Sequence, residues 1–432
     1  MTDLLAGRVL TDAAAQQRLK RRHRAERRFK YYGLAAIFAA LGVLAVLLVT
    51  IVGSGYSAFQ QTYIQLDIEL REDVIDPNGT RLDDDLRQAN YAVLVREALL
   101  KIFPEASGRR DRREVSHLIS SGAGIQLLNM MLKDSSLIGT TQTIWFKASA
   151  DLDSFSKGQI PRDVPEDERK VSDKQIAWID QLSEMGLVEK KFNYDFFTTA
   201  DSREPEQAGI LGAVVGSLLT LIVTLVLSFP IAVAAAVYLE EFAPKNKLTD
   251  FIEININNLA AVPSIVFGLL GLAVFLNYFE LPRSAPLVGG MVLALMTLPT
   301  IIIASRAALK AVPPSIREAA MGMGASPVQM VMHHVLPLAM PGILTGTIIG
   351  MAQALGETAP LLMIGMVAFI VDVPGSFTDA STVLPVQVFL WADAPERGFV
   401  ERTSAAIMVL LAFLIAMNIL AVLLRRRFER RW

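Results

Sequence analysis

The amino-acid sequence predicts an α-helical, polytopic membrane protein with six transmembrane helices and an inserted α+β domain outside the membrane. Hydrophobic residues make up 52% of the 432-residue chain and charged residues only 19%. Six apolar segments are each long enough to cross a bilayer, which takes about 20 helical residues. Residues 55–207, between the first two segments, are too many for a connector, so we expect them to form a folded domain.

The six predicted spans differ in length. The second and fifth are longer than a bilayer requires, so we expect tilts, kinks or extensions beyond the lipid. The first is predicted to be an uncleaved anchor, because its apolar run and its basic flank are both longer than those of a signal peptide. The spans cover residues 31–52, 209–238, 257–276, 286–305, 341–371 and 403–424.

Basic residues set the predicted orientation. Eight Lys and Arg residues lie within residues 18–30, and five Arg residues follow the last span. Positively charged flanks stay in the cytoplasm, so both termini are predicted to be cytoplasmic and the inserted domain extracytoplasmic. The predicted organisation is a basic segment (1–30), a first transmembrane helix (31–54), the extracytoplasmic domain (55–207), the main transmembrane domain (208–424) and a basic tail (425–432).

Residues 55–207 have the pattern of an acidic α+β domain. They contain 27 acidic and 19 basic residues, a net charge of −8. Apolar and polar residues alternate from Tyr63 to Leu70, which predicts a strand, and Pro77-Asn78-Gly79 predicts a turn. A basic cluster at Arg109, Arg110, Arg112 and Arg113 is either a solvated turn or a collector of anions. Helices are predicted at 82–102, 115–133 and 172–186, a strand at 142–149 and a mixed strand at 188–198.

Small residues recur every four positions along the fifth predicted span. Such a seam lets another helix approach closely. Glu357 lies beside it, and an ionisable residue within a span normally faces a protein interior or an aqueous path. Pro360 cannot donate to the carbonyl of Gly356, so we expect a bend or local unwinding there. Glu357 therefore belongs either to a gated pathway or to an ion pair that locks helices. The packing seam comprises Gly342, Gly346, Gly350 and Ala354, and Thr358 continues the spacing.

The loop between the fourth and fifth spans predicts two short helices. Pro313 and Pro314 end the preceding helix, and Ser326-Pro327 is an N-cap followed by a first-turn proline. The run from Arg317 to Gly324, REAAMGMG, is followed nine residues later by HVLP from His334. This resembles the EAA loop of bacterial ABC-importer permeases, in which Ile is usual where His334 stands. The resemblance implies that loop 313–337 contacts a separate ATPase through Arg317, Glu318, Ala319, Ala320, Gly322 and Gly324.

Three further motifs are similar to the phosphate-importer permease of the Pst system, its A subunit. They are YLEEFAP from Tyr238, VPSIVFGLLG from Val262 and ALGETAP from Ala354. Residues 62–210 look like the uncharacterised N-terminal extension of some members. The resemblance implies a type I ABC permease fold and a non-catalytic subunit of an ATP-driven phosphate importer in the bacterial inner membrane. The implied partners are a homologous permease, an ATPase dimer that holds ATP and Mg, and an extracytoplasmic phosphate-binding protein.

Polar residues within the spans are candidates for the translocation pathway. A hydroxyl at Ser264 is placed either to contact an oxyanion or to bond its own helix. Arg306, at the cytoplasmic end of its span, either reaches the lipid headgroups or contacts phosphate at the exit. The candidates are Glu357, Thr358, Gln353, Ser264, Thr300 and Arg306.

Other functions are disfavoured. No G-x-x-x-x-G-K-[ST] loop is present, so we expect no ATP hydrolysis by this chain. We also expect no cofactor or metal site, because the four histidines do not have the spacing of metal ligands and there is no cysteine. The basic run before the first span indicates topology and contact with anionic lipid rather than nucleic acid. Two alternatives remain: a permease for another oxyanion or small solute, and a membrane receptor that senses a ligand through its outer domain. The EAA-like loop and the six spans favour transport.

Overall fold

The first helix is long and continuous. The computed structural model describes residues 13–428, and the chain divides into two compact units with the boundary between Ser54 and Gly55. Helix α1 (Ala13–Gly55) makes up the described part of the first unit. It contains the predicted span 31–52 and continues without a break into the basic residues before it. The predicted boundary at residue 30 is therefore not a helix boundary.

The region that follows α1 folds as an α+β domain. Its strands form a three-stranded antiparallel sheet in the order β2-β1-β3, in which Ile64 of the central strand faces Phe146 and Val188. The strands are β1 (Gln60–Glu69), β2 (Thr141–Lys147) and β3 (Val188–Phe192). The helices are α2 (Glu72–Ile75), α3 (Asp83–Gln88), α4 (Tyr91–Ile102), α5 (Arg109–Ser116), α6 (Ala123–Lys133), α7 (Ala150–Ser156), α8 (Asp173–Glu184) and α9 (Asp195–Thr198).

The alternation predicted for β1 is confirmed. Ile64, Leu66, Ile68 and Leu70 are all fully buried and pack against the surrounding helices in one core. Apolar residues on one face of a strand are driven out of water together, because successive side chains point to opposite faces. The predicted helix at 172–186 is present as α8, where Ser172 and Gln175 form a capping box, and the strand predicted at 142–149 is β2.

Two helix predictions and one strand prediction in this domain were wrong. The predicted helix 82–102 is α3 and α4, because Ala89 has an extended backbone (φ −67°, ψ 145°) and ends the first helix. The predicted helix 115–133 is α5 and α6, separated by a segment in which Ile119 pairs with Ala148. The mixed strand 188–198 is β3 followed by α9. Asn193 lies between β3 and α9, and its side chain favours the start of α9 because it accepts a hydrogen bond from the Phe196 amide at 3.2 Å.

The remaining described chain is helical. Over the whole described chain, five helical stretches, α1 among them, are long and apolar enough to span a membrane, and a bent pair of helices makes a sixth if it counts as one span. The helices are α10 (Leu211–Val237), α11 (Lys247–Ala260), α12 (Ser264–Leu270), α13 (Pro286–Lys310), α14 (Pro314–Gly322), α15 (Pro327–Met330), α16 (Leu336–Gly356), α17 (Ala359–Met363), α18 (Leu384–Ala392) and α19 (Gly398–Phe428). π-helical turns follow α10, α12 and α15.

The third and fifth predicted spans differ from the structure. Residues 257–276 were predicted to form one helix, but α11 and α12 meet at a bend of 102°. Pro263, which precedes α12, lacks the amide hydrogen that a continuous helix needs. The fifth span does not extend over 341–371, because its helical stretch begins at Pro327 and ends at Gly356.

One apolar cluster joins the α+β domain to the last helices. Ala58, Phe196 and Ile210 from the domain side pack with Trp391 and Phe399. The domain is thus attached to the helical part through a shared core as well as through the chain itself.

Candidate functional site

Helix α14 carries the EAA-like residues on a short, largely exposed element. Glu318, Ala319 and Gly322 are exposed, whereas Ala320 is buried. Gly324 follows the helix with φ +89°, and no atom lies within 4 Å of the position that a Cβ would occupy. The left-handed backbone, rather than lack of space, is what requires glycine here. The predicted start of the next helix is confirmed by the capping box of Ser326 with Gln329.

Arg317 is held inside the protein. Its guanidinium donates to Glu241 at 2.7 and 3.2 Å and to the carbonyls of Leu309 and Val312 at 2.9 and 2.7 Å. The Glu241 side chain is only 7% exposed. A cation on the last carbonyls of a helix is stabilising, because those carbonyls have no partner within the helix and carry partial negative charge. Arg317 therefore fastens α14 to the ends of both α10 and α13.

Arg306 is part of the same arrangement. It donates to Glu253 on α11 at 2.6 Å and lies 3.5 Å from Glu240, which also pairs with Lys310. The Arg306 side chain is 15% exposed. The expectation that Arg306 extends to the lipid headgroups was wrong, because two carboxylates hold it. We call Glu240, Glu241, Glu253, Arg306, Lys310 and Arg317 the helix-end ion-pair cluster.

Sequence reasoning missed the acidic half of this cluster. Glu240 and Glu241 stand in the YLEEFAP motif, whose adjacent acids next to an apolar span were a usable signal. Intramembrane and juxtamembrane acids seldom lie unpaired, and two nearby arginines were available. Their partners could not be assigned from spacing alone, since Arg317 and Glu241 are 76 residues apart.

The small residues of α16 lie against α13. A Cβ on Gly346 would lie 2.2 Å from the Cβ of Ala304, and one on Gly342 would lie 2.6 Å from that of Ala308. Gly350 faces Ile301 at 3.4 Å, an ordinary contact. The two backbones therefore approach most closely in the first half of α16, at Gly342 and Gly346. Ala354 is buried, but Thr358 lies beyond the helix and does not continue the seam.

Glu357 stands in a break in the helix. Helix α16 ends at Gly356, Glu357 has an extended backbone (φ −80°, ψ 119°), and helical structure resumes at Ala359. The predicted unwinding before Pro360 is thus present. Gln353 and Gly356 are exposed and Glu357 is half-buried. Non-helical backbone at membrane depth is tolerated where it lines a cavity or is covered by protein.

Within residues 17–427, whose side chains the structure describes, Glu357 forms no ion pair. Leu293 of α13 lines the same small cavity as Ala354 and Leu355, so the break lies near that level of α13. Arg306 is 13 residues further along, or about 20 Å of helix. The interpretation that Glu357 locks two helices through a basic partner therefore finds no such partner among residues 17–427.

The other pathway candidates are divided between two places. Ser264 opens α12 and is half-buried, and Gly268 of the same helix packs directly on Pro360, where a Cβ would lie 2.7 Å from the proline Cα. The structure therefore places the helix of Ser264 beside the break at Glu357. Thr300 is half-buried on α13, and Arg306 belongs to the helix-end ion-pair cluster.

A second charged cluster lies where the α+β domain meets α19, and we call it the junction cluster. Lys157 Nζ contacts Asp153 at 2.6 Å and Glu401 at 2.8 Å, and all three side chains are less than 5% exposed. Glu401 also accepts from Ser57 at 2.7 Å. Arg402, fully buried, donates to Gln61 at 3.0 Å. Burial raises the pKa of the Asp153 carboxyl, although Lys157 opposes that shift.

Comparison with known proteins places the chain in a family. The family model described as "Binding-protein-dependent transport system inner membrane component" matches residues 228–432, and a domain of unknown function, DUF3333, matches residues 16–166. The phosphate transport system permease protein PstA 2 of Mycobacterium bovis is 31% identical over 226 residues, which cover 52% of this chain and 74% of the relative. The chain belongs to the phosphate transport system permease family. The predicted resemblance, including the uncharacterised N-terminal extension, is confirmed.

Two further relatives have permease names. The probable ABC transporter permease protein YqgI of Bacillus subtilis is 33% identical over 173 residues, which cover 40% of this chain and 58% of the relative. PstA of Haemophilus influenzae is 28% identical over 225 residues, covering 52% and 78%. A solved structure of the inward-facing MetNI methionine ABC transporter aligns with a TM-score of 0.40 at 19% identity, covering 50% of this chain and 95% of that chain. As a family member, this chain is an inner-membrane permease subunit of an ABC transporter.

Proposed function

We propose that this chain is the permease subunit of an ATP-driven importer of inorganic phosphate. The observation that carries the proposal is the similarity to phosphate transport system permeases over three quarters of the relative's length. In this proposal the chain is non-catalytic and binds no cofactor. ATP and Mg²⁺ are held by a partner ATPase dimer, a homologous permease completes the pathway, and an extracytoplasmic phosphate-binding protein delivers the anion.

The orientation we propose puts both termini and α14 in the cytoplasm and the α+β domain outside. The basic flanks of α1 and α19 support it through the positive-inside rule, and anionic lipid is the expected contact of the first flank. The exposure of Glu318 and Ala319 also supports it, because an ATPase needs an accessible surface to contact.

In the proposed coupling step, the ATPase dimer binds α14 through Glu318, Ala319 and Gly322. Arg317 points inward, so it does not contact the ATPase but transmits the displacement of α14 to the neighbouring helices. Because Arg317 joins α14 to the end of α10 and to the last carbonyls of α13, displacement of α14 would displace both helices.

The proposed pathway runs past the break at Glu357. Gln353 and Gly356 present an open face, and α12 brings Ser264 to the same region. A carboxylate repels phosphate, so we assign Glu357 to gating or to positioning a group of the partner permease rather than to binding the anion. Thr358 and Ser264 supply hydroxyls that suit an oxyanion.

Transport by the reconstituted complex tests this function. The chain is co-expressed with its neighbouring transport subunits, purified through a tag on this chain and placed in proteoliposomes with the binding protein outside and ATP inside. We expect uptake of radiolabelled phosphate that excess sulfate or molybdate does not suppress, and no uptake with an ATPase variant that cannot hydrolyse ATP. Uptake of sulfate or molybdate in preference to phosphate would establish the alternative oxyanion permease. Absence of an ATPase from the purified complex would contradict the transport assignment.

A further inference from the structure

The α+β domain contains a basic groove within the region that matches the domain of unknown function. It lies between α4 and α5 and has a volume of about 940 Å³. Four arginines line it: Arg96 from α4, and Arg109, Arg112 and Arg113 from α5. All four are exposed. Pockets of this size hold ligands well beyond a single small ion.

The guanidinium groups of the groove lack partners among the described residues. In the part of the chain that the structure describes, none of Arg96, Arg109, Arg112 and Arg113 forms an ion pair or a side-chain hydrogen bond. The one carboxylate among the described lining residues is Glu97, and Arg71 lies 3.5 Å from it. By contrast Arg110, which does not line the groove, bonds Glu114 at 2.8 Å.

The spacing of the arginines concentrates their charge. Arg109, Arg112 and Arg113 are three and four residues apart and therefore share one face of α5. Like charges at that spacing destabilise a helix. The domain as a whole is acidic, yet salt screens exposed charges beyond about 8–10 Å. An anion inside the groove therefore meets the four guanidiniums and is screened from the distant carboxylates.

The geometry points to a binding site for a polyanion that carries two or more phosphate groups. A guanidinium is planar and matches phosphate oxygens with two parallel hydrogen bonds, which a lysine cannot do. Four such groups in a groove of this volume exceed what one orthophosphate can satisfy. Ser107, two residues before α5 begins, adds a hydroxyl donor. The ligand is either a soluble polyphosphate or a lipid headgroup with two phosphate groups. Both present several phosphate oxygens to the arginines.

Calorimetry on the full-length protein in phosphatidylcholine nanodiscs tests the site. Tripolyphosphate and a short-chain cardiolipin, which carries two phosphates on a lipid, are titrated at 150 mM salt. We expect saturable binding with one ligand per chain, and the ligand that binds more tightly identifies the source. Orthophosphate should bind at least tenfold more weakly, because it engages fewer guanidiniums. Orthophosphate binding as tight as that of both polyanions would overturn the requirement for several phosphates.

Matched variants locate the binding in the groove. Arg112→Gln combined with Arg113→Gln removes two charge-assisted contacts, so we expect affinity to fall by about 100-fold or more, since each such contact contributes roughly tenfold or more. Arg96→Gln, on the opposite wall, should weaken binding about tenfold without altering α5. Arg110→Gln, the control on the same helix, should stay within about twofold. Equal affinity in the wild type, the double variant and Arg96→Gln would overturn the site, as would the absence of saturable binding. This test does not depend on the transport function.

Discussion

Lys157 holds together two buried carboxylates from different parts of the chain, so replacing it should separate the α+β domain from α19. In Lys157→Met the apolar stem is kept and the charge is removed. Asp153 and Glu401, each 4% exposed, then lose the cation that lies 2.6 and 2.8 Å away. Breaking a buried ion pair by removing one partner costs about 3–5 kcal/mol. That is a large share of the roughly 5–15 kcal/mol that keeps a domain folded.

A compensating variant separates lost charge balance from lost packing. Adding Asp153→Asn to Lys157→Met removes one negative charge with the positive one, and the new side chain still accepts from the Thr62 amide, which lies 2.8 Å from Asp153. Glu401 keeps its hydrogen bond from Ser57. We therefore expect the double variant to recover about 2 kcal/mol or more of the loss, since replacing both partners of a buried pair is far less costly than replacing one.

Thermal unfolding and hydrogen exchange measure the effect on purified full-length protein. We expect a lower unfolding temperature in Lys157→Met, and faster amide exchange in the first turns of α19 than in the core strand β1. Lys174→Met is the control: Lys174 pairs with Asp111 at the similar distance of 2.7 Å but is 60% exposed, so its loss should cost less than about 1 kcal/mol. If Lys157→Met costs no more than Lys174→Met, the junction cluster does not hold the domain in place.

Four other expectations follow from the site and the junction. Gly346→Leu should reduce the yield and thermal stability of the protein, by about 3 kcal/mol or more, because even a Cβ there would overlap Ala304; wild-type stability would contradict the close approach. Glu357→Gln should leave assembly intact and lower phosphate flux. Flux at the wild-type rate would show that the charge of Glu357 has no role in transport. Glu318→Lys should abolish uptake while the chain still inserts, and normal uptake would contradict contact with the ATPase. Burial raises the pKa of Glu206, so the folded state binds its proton more readily than the unfolded state. The stability that Glu206 contributes is therefore present at low pH and lost as pH rises through the folded pKa. Glu206→Gln should remove this part of the pH dependence, which begins near the ordinary pKa of a glutamate, about 4.3, and extends to higher pH; an unchanged pH profile of unfolding would contradict it.

Local sequence patterns predicted those features that neighbouring residues decide. The alternation in β1 needs only one buried face, and the turn after α14 needs only Gly324 and a serine N-cap. Likewise, Pro360 was enough to predict the break beside Glu357. Each of these rests on backbone chemistry within a few residues, so tertiary structure had little to override.

Features that depend on distant residues were missed or wrong. Arg306 was expected either at the headgroups or at the phosphate exit because it lies at the end of its span, yet it donates to Glu253, which is 53 residues away in sequence. Lys157 and Glu401 are 244 residues apart, and neither stands in a motif. The single helix predicted over 82–102 was wrong for a different reason. Its apolar residues keep a helical spacing through Ala89, but the backbone becomes extended at that residue. Composition reports how apolar a segment is, but it does not report where backbone hydrogen bonds stop.

The contacts of Arg317 and Gly346, together with the helix break at Glu357, constrain how this permease can move. Arg317 ties α14 to the ends of α10 and α13, and Gly346 lies so close to Ala304 that α16 is packed tightly on α13. These elements should therefore shift as one body when α14 is displaced. Beyond Gly356 the backbone hydrogen bonds of α16 stop, and α17 is packed on two helices: Leu361 lies against Gly289 of α13, and Pro360 lies against Gly268 of α12. In the proposed mechanism, Glu357 is therefore the point at which the backbone can bend between α16 and α17. This placement accounts for a helix break and an open face at one position, together with a carboxylate that forms no ion pair within residues 17–427, and none of these features would stabilise a static bundle.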